Sequence, residues 1–208
     1  GNGYVLPVGQ PARLARQRQR SRTHNNQGPT EGDYAVGWID HGHAPTDAGY
    51  EYAVLGQTNA ERLARFAEQP PYRVLQRDGN AHMVAHPERS MTAAAVFSVE
   101  TEISSGPVVR VDTPITFTAR TPEPDSMNLG IAVPDLKLPR RQNMGFLTGK
   151  DVHVRTRPTT VSMLLRGRWT TADMNDQSRA TKYNDTMTVL EMTCRDGATS
   201  HVNLTRQP

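Results

Sequence analysis

The sequence contains very little cysteine and no long apolar run, and both absences exclude classes of protein. Cys194 is the only cysteine among 208 residues, so the chain can form neither an internal disulfide framework nor a cysteine-based metal knuckle. No hydrophobic run approaches the roughly 20 residues that a membrane-spanning helix needs, so we predict no membrane partner. The opening GNGYVLPVGQ also lacks the basic start and apolar centre of a signal peptide. We therefore expect a soluble chain held by an ordinary apolar core.

Sequence motifs for common catalytic mechanisms are missing as well. There is no G-x-S-x-G nucleophile elbow, no G-x-x-x-x-G-K-[ST] and no G-x-G-x-x-G before a helix. Cys194 lies within the apolar pattern of a predicted hairpin strand, which favours a core position over a nucleophile. We therefore predict no catalytic residue and no cofactor in this chain.

Acidic residues and aromatics are absent from a basic segment near the start. The first thirty residues hold five arginines and no acid, although the net charge is only +3. The five are Arg13, Arg16, Arg18, Arg20 and Arg22. Modules that bind single-stranded nucleic acid interleave aromatics with basic residues, whereas no aromatic occurs between Leu6 and Asp33. A basic face without stacking aromatics suits an acidic polysaccharide at least as well as a nucleic acid, with a solvated or domain-facing arginine ladder as the alternative.

Alternating patterns predict mostly strands. DYAVGWI places Tyr34, Val36 and Trp38 on one face, and YEYAVL alternates Tyr50 with Tyr52, as in strands with one buried face. Asp-Gly pairs at 78–79 and 196–197 predict hairpins with two-residue type I′ turns. Short apolar runs separated by proline, glycine, aspartate and serine fill the rest. This spacing is typical of an antiparallel β-sandwich.

One helix interrupts the strands. Thr58 and Glu61 form a capping-box pattern at the start of AERLARFAEQ, and Pro70-Pro71 follows this stretch. The pattern predicts a short helix near 59–69 and a domain boundary at 71.

The secondary structure of the arginine segment is ambiguous. Alternate arginines favour an extended edge followed by a loop at THNNQGPTEG, whereas the helix propensity of its residues favours a helix.

The stretch WIDHGHAPTDAGYEY is dense in polar and aromatic groups. His41 and His43 would point the same way in a strand, so a metal site is conceivable. Gly42 between the histidines and Pro45 after them are typical of a turn instead. We predict no metal, and a structural corner between two strands in which carboxylates satisfy backbone groups. The predicted corner residues are Asp40, His41, Gly42, Pro45, Tyr50 and Tyr52, with both tyrosines in the core.

The same stretch carries a family resemblance. A strand running into Asp-His-Gly, a turn with proline and then Tyr-x-Tyr occurs here as Asp40-His41-Gly42, Pro45 and Tyr50-Glu51-Tyr52. RSR and HNNQ precede this block, and ERLARFAEQPPYRVLQRDGNAHMV follows it. AVPDLKLPRRQ and VSMLLRGRWTTADMN resemble the final sandwich of the same enzymes. Over nearly its whole length the chain resembles polysaccharide lyases that cleave chondroitin, dermatan and hyaluronan, and most of all the chondroitin sulfate ABC lyases.

The resemblance implies a fold and a parent activity. These lyases have an α-helical toroid, a central β supersandwich and a smaller C-terminal β-sandwich. Residues 1–71 resemble the last supersandwich strands plus a short helix, and residues 72–208 resemble the C-terminal sandwich, so an all-β chain is expected. The parent reaction is β-elimination at a uronic acid. Its lytic groups, an Asn or His, a Tyr, an Arg and a Glu, match no position here, so this chain alone is expected to be inactive.

The resemblance also implies partners and a location. We expect an acidic glycosaminoglycan as ligand, contacted by Arg18, Arg20, Arg22 and His24, and the toroid and remaining β portion of the parent enzyme as neighbours. A secreted or periplasmic bacterial location is implied. A free-standing carbohydrate-binding β-sandwich is the main alternative, and a nucleic-acid-binding module is a weaker one.

Overall fold

A computed structural model describes residues 1–22, 28–99, 102–134, 158–172, 177–195 and 198–208. Within them the chain forms two compact units, Gly1–Pro70 and Pro71–Pro208. The first unit contains four strands and one α-helix. These elements are β1 (Gly3–Val5), β2 (Ala12–Arg22), β3 (Pro29–Ile39), β4 (Ala53–Leu55) and α1 (Ala60–Glu68).

The longest strands of the first unit pair with each other as a two-stranded antiparallel ribbon. β2 and β3 are joined in unbroken register from Ala12 opposite Ile39 to Arg22 opposite Pro29. The arginine segment is therefore extended, as its alternation predicts, and not helical. The following loop is shorter than predicted, because Thr30 and its neighbours already belong to β3. β1 pairs with β4 as a second, shorter antiparallel pair.

The short helix is confirmed, but its predicted cap is wrong. Asn59 is the N-cap, and its Oδ1 accepts the amide N–H of Arg62 at 2.9 Å. The hydroxyl of Thr58 donates to the carbonyl of Asn59 instead of closing a capping box. Asparagine caps a helix at least as well as threonine and lies one residue closer to the first turn. Glu61 is thereby free to pair with Arg65 one turn later, at 3.3 Å.

A close approach fixes the helix against β1. A Cβ atom on Gly3 would lie 2.6 Å from Cδ1 of Leu63 and 2.7 Å from Cγ2 of Thr58. Only glycine allows the helix to pack at this distance. Leu63 and Phe66 form the half-buried side of the helix, as the pattern predicts.

The second unit is a β-sandwich. Its strands are β5 (Arg73–Arg77), β6 (Ala81–His86), β7 (Met91–Val96), β8 (Val108–Val111), β9 (Ile115–Arg120), β10 (Ser126–Ala132), β11 (Pro158–Arg166), β12 (Trp169–Thr171), β13 (Ser178–Lys182), β14 (Met187–Arg195) and β15 (Thr199–Arg206). One sheet has the order β12-β15-β10-β9-β7-β6-β5 and the other β13-β14-β11-β8. Every pairing is antiparallel.

Buried and exposed residues alternate along the strands, so the buried side chains of both sheets form one hydrophobic core between them. In β9, Ile115, Phe117 and Ala119 point inward, and the residues between them are exposed. Cys194 is fully buried in β14, as predicted, and burial raises the pKa of its thiol. The all-β class, the antiparallel sandwich and the single short helix are thus confirmed.

The hairpin at Asp78 is confirmed, but its turn type is wrong. Three residues, 78–80, join β5 to β6, and neither Asp78 nor Gly79 has a positive φ. The Oδ1 atom of Asp78 instead accepts the N–H groups of Asn80 at 2.8 Å and Ala81 at 3.0 Å. These bonds lower the pKa of Asp78. The carboxylate of Asp78, and not a positive φ at glycine, therefore stabilises this turn. The second predicted turn, at 196–197, lies outside the described residues.

Candidate functional site

The arginines of β2 share one face of the ribbon. Side chains on paired strands alternate together, so the register places four guanidinium groups on the same face as two carboxylates of β3. We call this surface the arginine face; its charged members are Arg16, Arg18, Arg20, Arg22, Glu31 and Asp33. The prediction that alternate arginines lie together is confirmed by this register. The carboxylates of Glu31 and Asp33 opposite them were not predicted. Four arginines and two acids give the arginine face a net charge of +2.

Glu31 is the centre of the arginine face. Arg18 binds its Oε1 through both Nε, at 3.0 Å, and Nη2, while Arg20 binds Oε2 through Nε at 2.6 Å. The guanidinium of Arg18, and next that of Arg20, hold the pKa of Glu31 below its ordinary value. Both arginine side chains remain more than half exposed. They are oriented by the carboxylate while their outer N–H groups still face solvent.

The other predicted contact residues fare differently. Arg22 ends β2 opposite Pro29 and is exposed. His24 lies outside the described residues. Arg16 was not among the predicted contacts, yet it is exposed on the same face and makes no ion pair within the described part of the chain. The face therefore offers an array of cationic groups along one strand.

The opposite face of the ribbon is aromatic, and the prediction that it is buried is wrong. Tyr34 and Trp38 are 55% and 44% exposed. The Tyr34 ring lies against Gly32, where an added Cβ atom would be only 3.0 Å from the ring. A two-stranded ribbon buries neither face by itself. The alternating sequence pattern therefore predicts correctly that Tyr34 and Trp38 share a face, although this face is not buried.

The Asp40 corner has the hydrogen bonding expected of a bend. Oδ1 of Asp40 accepts the N–H of Gly42 at 3.0 Å, Oδ2 pairs with Arg13, and the Asp40 N–H donates to the carbonyl of Pro11 at 3.0 Å. The N–H of Gly42 and then the guanidinium of Arg13 lower the pKa of Asp40. Gly42 has a φ of +75°, which glycine adopts without strain. Pro45 follows in the same turn segment.

Tyr50 and Tyr52 are not in the core, which corrects the prediction for both. They are 61% and 53% exposed and precede the short strand β4. Their rings stack on each other, with centroids 6.1 Å apart and planes at 22°. His41 lies against Tyr50 at 6.5 Å. The sequence pattern correctly predicted that the tyrosines share a side, but not that this side is open.

The carboxamide of Gln10 fixes this segment. Its Nε2 donates to the carbonyl of Glu51 at 2.8 Å, and its Oε1 accepts the N–H of Glu51 at 2.8 Å. The two bonds replace the partner strand that Glu51 would otherwise need. They fix the backbone of the residue between the two tyrosines, whose rings stack on each other.

Two surface hollows of the described structure differ in the residues that line them. A depression of about 180 Å³ on the ribbon is lined by Gln19, Arg20, Ser21, Thr30 and Tyr34. A groove of about 400 Å³ on the seven-stranded sheet is lined mainly by alanine, threonine and glycine, with His82 and Val84 at one side. No arginine or lysine lines the groove, whereas the ribbon carries several. The ribbon is therefore the better candidate for an acidic ligand.

Metal ligands and membrane segments are not evident in the described residues. No group of three or more His, Cys, Asp or Glu side chains there is arranged to hold a metal ion. His41 and His43 are both exposed. None of the described helices combines the length and apolar composition needed to cross a membrane.

Comparison with curated proteins finds relatives over the full chain. The chain is 31% identical to the chondroitin sulfate ABC exolyase of Bacteroides thetaiotaomicron over 98% of its own length and 21% of that enzyme. It is 27% identical to the chondroitin sulfate ABC endolyase of Proteus vulgaris over 100% of its length and 19% of that enzyme. The chain thus spans about a fifth of the length of these relatives. No family model matches it.

Solved structures of two lyases share the fold. A chondroitin AC lyase of Streptomyces coelicolor A3, in complex with chondroitin sulphate, matches 100% of this chain and 26% of its own with a TM-score of 0.69 at 18% identity. A Paenibacillus xanthan lyase matches 100% of this chain and 19% of its own with a TM-score of 0.70 at 14% identity. The resemblance inferred from the Asp-His-Gly and Tyr-x-Tyr block is thereby confirmed. Throughout its length, this chain is homologous to a portion of the chondroitin sulfate ABC lyases.

Proposed function

We propose that this chain is the C-terminal β region of a glycosaminoglycan lyase that acts on chondroitin or dermatan sulfate. Residues 1–71 supply the last strands of the central supersandwich and a short helix, and residues 72–208 form the C-terminal sandwich. The observation that carries the proposal is 31% identity to a chondroitin sulfate ABC exolyase over 98% of the chain. Secretion to the periplasm or the exterior goes with such an enzyme.

The parent reaction is β-elimination. A base removes the proton from C5 of the uronate, the electron pair forms the C4–C5 double bond, and the bond between C4 and the linking oxygen breaks. The leaving oxygen takes up a proton, and an unsaturated uronide remains. This chemistry needs a base with a matched pKa and a group that neutralises the uronate carboxylate. The described residues contain no cluster of buried ionisable groups suited to those roles, so we assign the chain to support and ligand contact.

The arginine face is the part we assign to ligand contact. Sulfate and carboxylate groups accept paired N–H bonds from guanidinium, as Glu31 already does from Arg18. Repeated anionic groups along a polysaccharide match cationic side chains repeated along a strand. Arg18, Arg20 and Arg22 are the predicted contacts, and Arg16 extends the same row.

A turnover assay tests the assignment of roles. The purified chain, incubated with chondroitin sulfate or dermatan sulfate, should produce no increase in the ultraviolet absorbance of unsaturated uronide. Sustained growth of that absorbance, abolished by heat, would show that lytic groups are present after all. The coding sequence upstream of Gly1 is a second test, since a helical segment bearing the lytic tyrosine is expected there.

Chromatography on immobilised chondroitin sulfate tests the arginine face. The triple variant R18A/R20A/R22A should elute at lower salt than the unmodified chain, because three cationic groups are lost from one surface. A matched control is R73A/R110A/R179A, which removes three exposed arginines from strands of the sandwich unit. Equal elution of the two triple variants would mean that only net charge matters and would refute the proposed contact surface.

A further inference from the structure

The stacked tyrosines near the Asp40 corner have no role in the function proposed so far. We infer that Tyr50 and Tyr52 form a platform on which a pyranose ring of the bound glycan stacks. The inference rests on the proposed function, because it takes an acidic glycan as the ligand. It adds a contact of a different physical kind from the arginine face.

The geometry of the pair is that of an open aromatic surface. The ring centroids are 6.1 Å apart with planes at 22°, and more than half of each side chain is exposed. His41 extends the surface beside Tyr50, at 6.5 Å between centroids. Two neighbouring exposed aromatics are an uncommon use of surface in a water-soluble protein, since burial of each ring would be favourable.

The platform is also held in place before any ligand binds. Gln10 makes two hydrogen bonds of 2.8 Å to the backbone of Glu51, between the tyrosines. Asp40 fixes the backbone of Gly42 beside His41. Rings carried by a fixed backbone lose little conformational freedom on binding, which favours affinity.

The chemistry of a pyranose suits this surface. One side of the ring presents several C–H groups and is apolar, and its hydrogens carry a small positive charge. The face of a tyrosine ring carries the negative part of the aromatic quadrupole, so the two attract in addition to excluding water. Sulfates and carboxylates project from the edge of the sugar and remain available to cationic side chains. A glycan can therefore use stacking and ion pairing at the same time.

The occupant could in principle be another protein surface, which would cover the rings equally well. Two facts favour sugar. The same unit carries the row of arginines suited to an anionic polymer, and the backbone between the tyrosines is already satisfied by Gln10, so it offers no free strand edge at Glu51 for another chain to pair with. If a protein surface covers the rings instead, the following test should show glycan binding that does not depend on them.

The test measures the affinity of the full chain for a fluorescein-labelled chondroitin sulfate oligosaccharide at several salt concentrations. In Y50A/Y52A we expect roughly five- to thirtyfold weaker binding with an unchanged dependence on salt, because no charge is removed. Y50F/Y52F keeps both rings and should bind like the unmodified chain. Y4A/Y183A removes two other exposed tyrosines and should also bind normally. Chemically desulfated chondroitin should show the same loss in Y50A/Y52A.

The outcomes separate the two proposals. If the unmodified chain binds neither chondroitin sulfate nor dermatan sulfate, the glycan contact proposed for the whole chain is wrong. The proposal that Tyr50 and Tyr52 stack on a sugar is then wrong as well. If the chain binds but Y50A/Y52A binds equally well, the platform alone is wrong. Thermal unfolding of each variant checks folding, and ligand-induced shifts of the Tyr50 and Tyr52 ring resonances give an independent measurement that needs no substitution.

Discussion

The two units of the chain are stabilised by different means. Among the described residues, every buried hydrophobic side chain lies in the unit Pro71–Pro208, where both sheets contribute to one core. In Gly1–Pro70 the only buried residue of the described part is Gly3. That unit is held by the backbone ladder of β2 and β3, the Gln10 bonds and carboxylate pairs such as Arg18 with Glu31.

The difference indicates where stability and where contact reside. An isolated two-stranded ribbon is marginal in water, and exposed ion pairs contribute little. The free energy of folding must therefore come mainly from the sandwich core. The exposed tyrosines and arginines of the first unit contribute little to that core, which leaves them available for the ligand contacts proposed above.

A matched pair of leucine truncations gives the largest expected effect. Leu165 in β11 is fully buried, whereas Leu14 in β2 is 88% exposed. L165A should lower the free energy of unfolding by about 2–5 kcal/mol, through lost burial and the cavity left behind. L14A should change it by less than about 0.5 kcal/mol. Urea unfolding measures both, and similar losses would mean that the first unit has a core of its own.

A buried hydroxyl gives the next largest effect. Oγ1 of Thr188 accepts the N–H of Trp169 at 2.8 Å and donates to the carbonyl of Gly167 at 2.9 Å, with Thr188 only 1% exposed. T188V keeps the shape but leaves both backbone groups without their partner, and should destabilise the sandwich by about 1–3 kcal/mol. T188S keeps the hydroxyl and should cost less. Equal melting temperatures for T188V and the unmodified chain would contradict this.

The sequence predicts the second unit better than the first. Alternation is a local property, so the inward positions of Ile115, Phe117 and Cys194 follow from neighbouring residues alone. A sandwich then supplies the opposite sheet that covers those positions. In the first unit the same alternation groups Tyr50 with Tyr52, but the described part of that unit leaves both rings more than half exposed.

Register explains what was missed on the arginine face. No acid occurs within the first thirty residues, which predicted an unpaired basic row. The hairpin brings Glu31 and Asp33 from beyond that limit to lie opposite Arg20 and Arg18. The available signal was that the two acids are spaced by two residues, like the arginines. The register depends on where β2 ends and β3 begins, and sequence patterns place element boundaries poorly.

Neutralising one carboxylate distinguishes oriented arginines from simple charge. E31Q removes the negative charge and one of the two acceptor oxygens that bind Arg18 and Arg20, whereas D33N removes a charge from the same face at a residue without an ion pair in the described structure. E31Q should bind chondroitin sulfate about two- to fivefold more tightly, because two guanidinium groups are released to the ligand. D33N should produce a smaller gain. Fluorescence polarisation measures both, and equal gains would show that only net charge is sensed.

The smallest effect concerns acid titration of the ribbon. The pKa of Glu31 is lowered by Arg18 and Arg20 from its ordinary value of 4.5, and that of Asp40 by the N–H of Gly42 and by Arg13 from 3.8. A carboxylate with a lowered folded pKa stabilises the fold above the unfolded value, and this contribution is lost as the pH falls through the folded value. As the pH falls through these lowered values, the protection factors of the ribbon amides, corrected for the pH dependence of intrinsic exchange, should therefore decrease, while those of the sandwich core, far less dependent on such pairs, change little. Carbon-detected NMR should give Glu31 a titration midpoint below 4.5 that rises in R18A/R20A. An identical midpoint in both proteins would mean that the arginines do not hold Glu31 in solution, and the arginine face would then be a row of independent side chains.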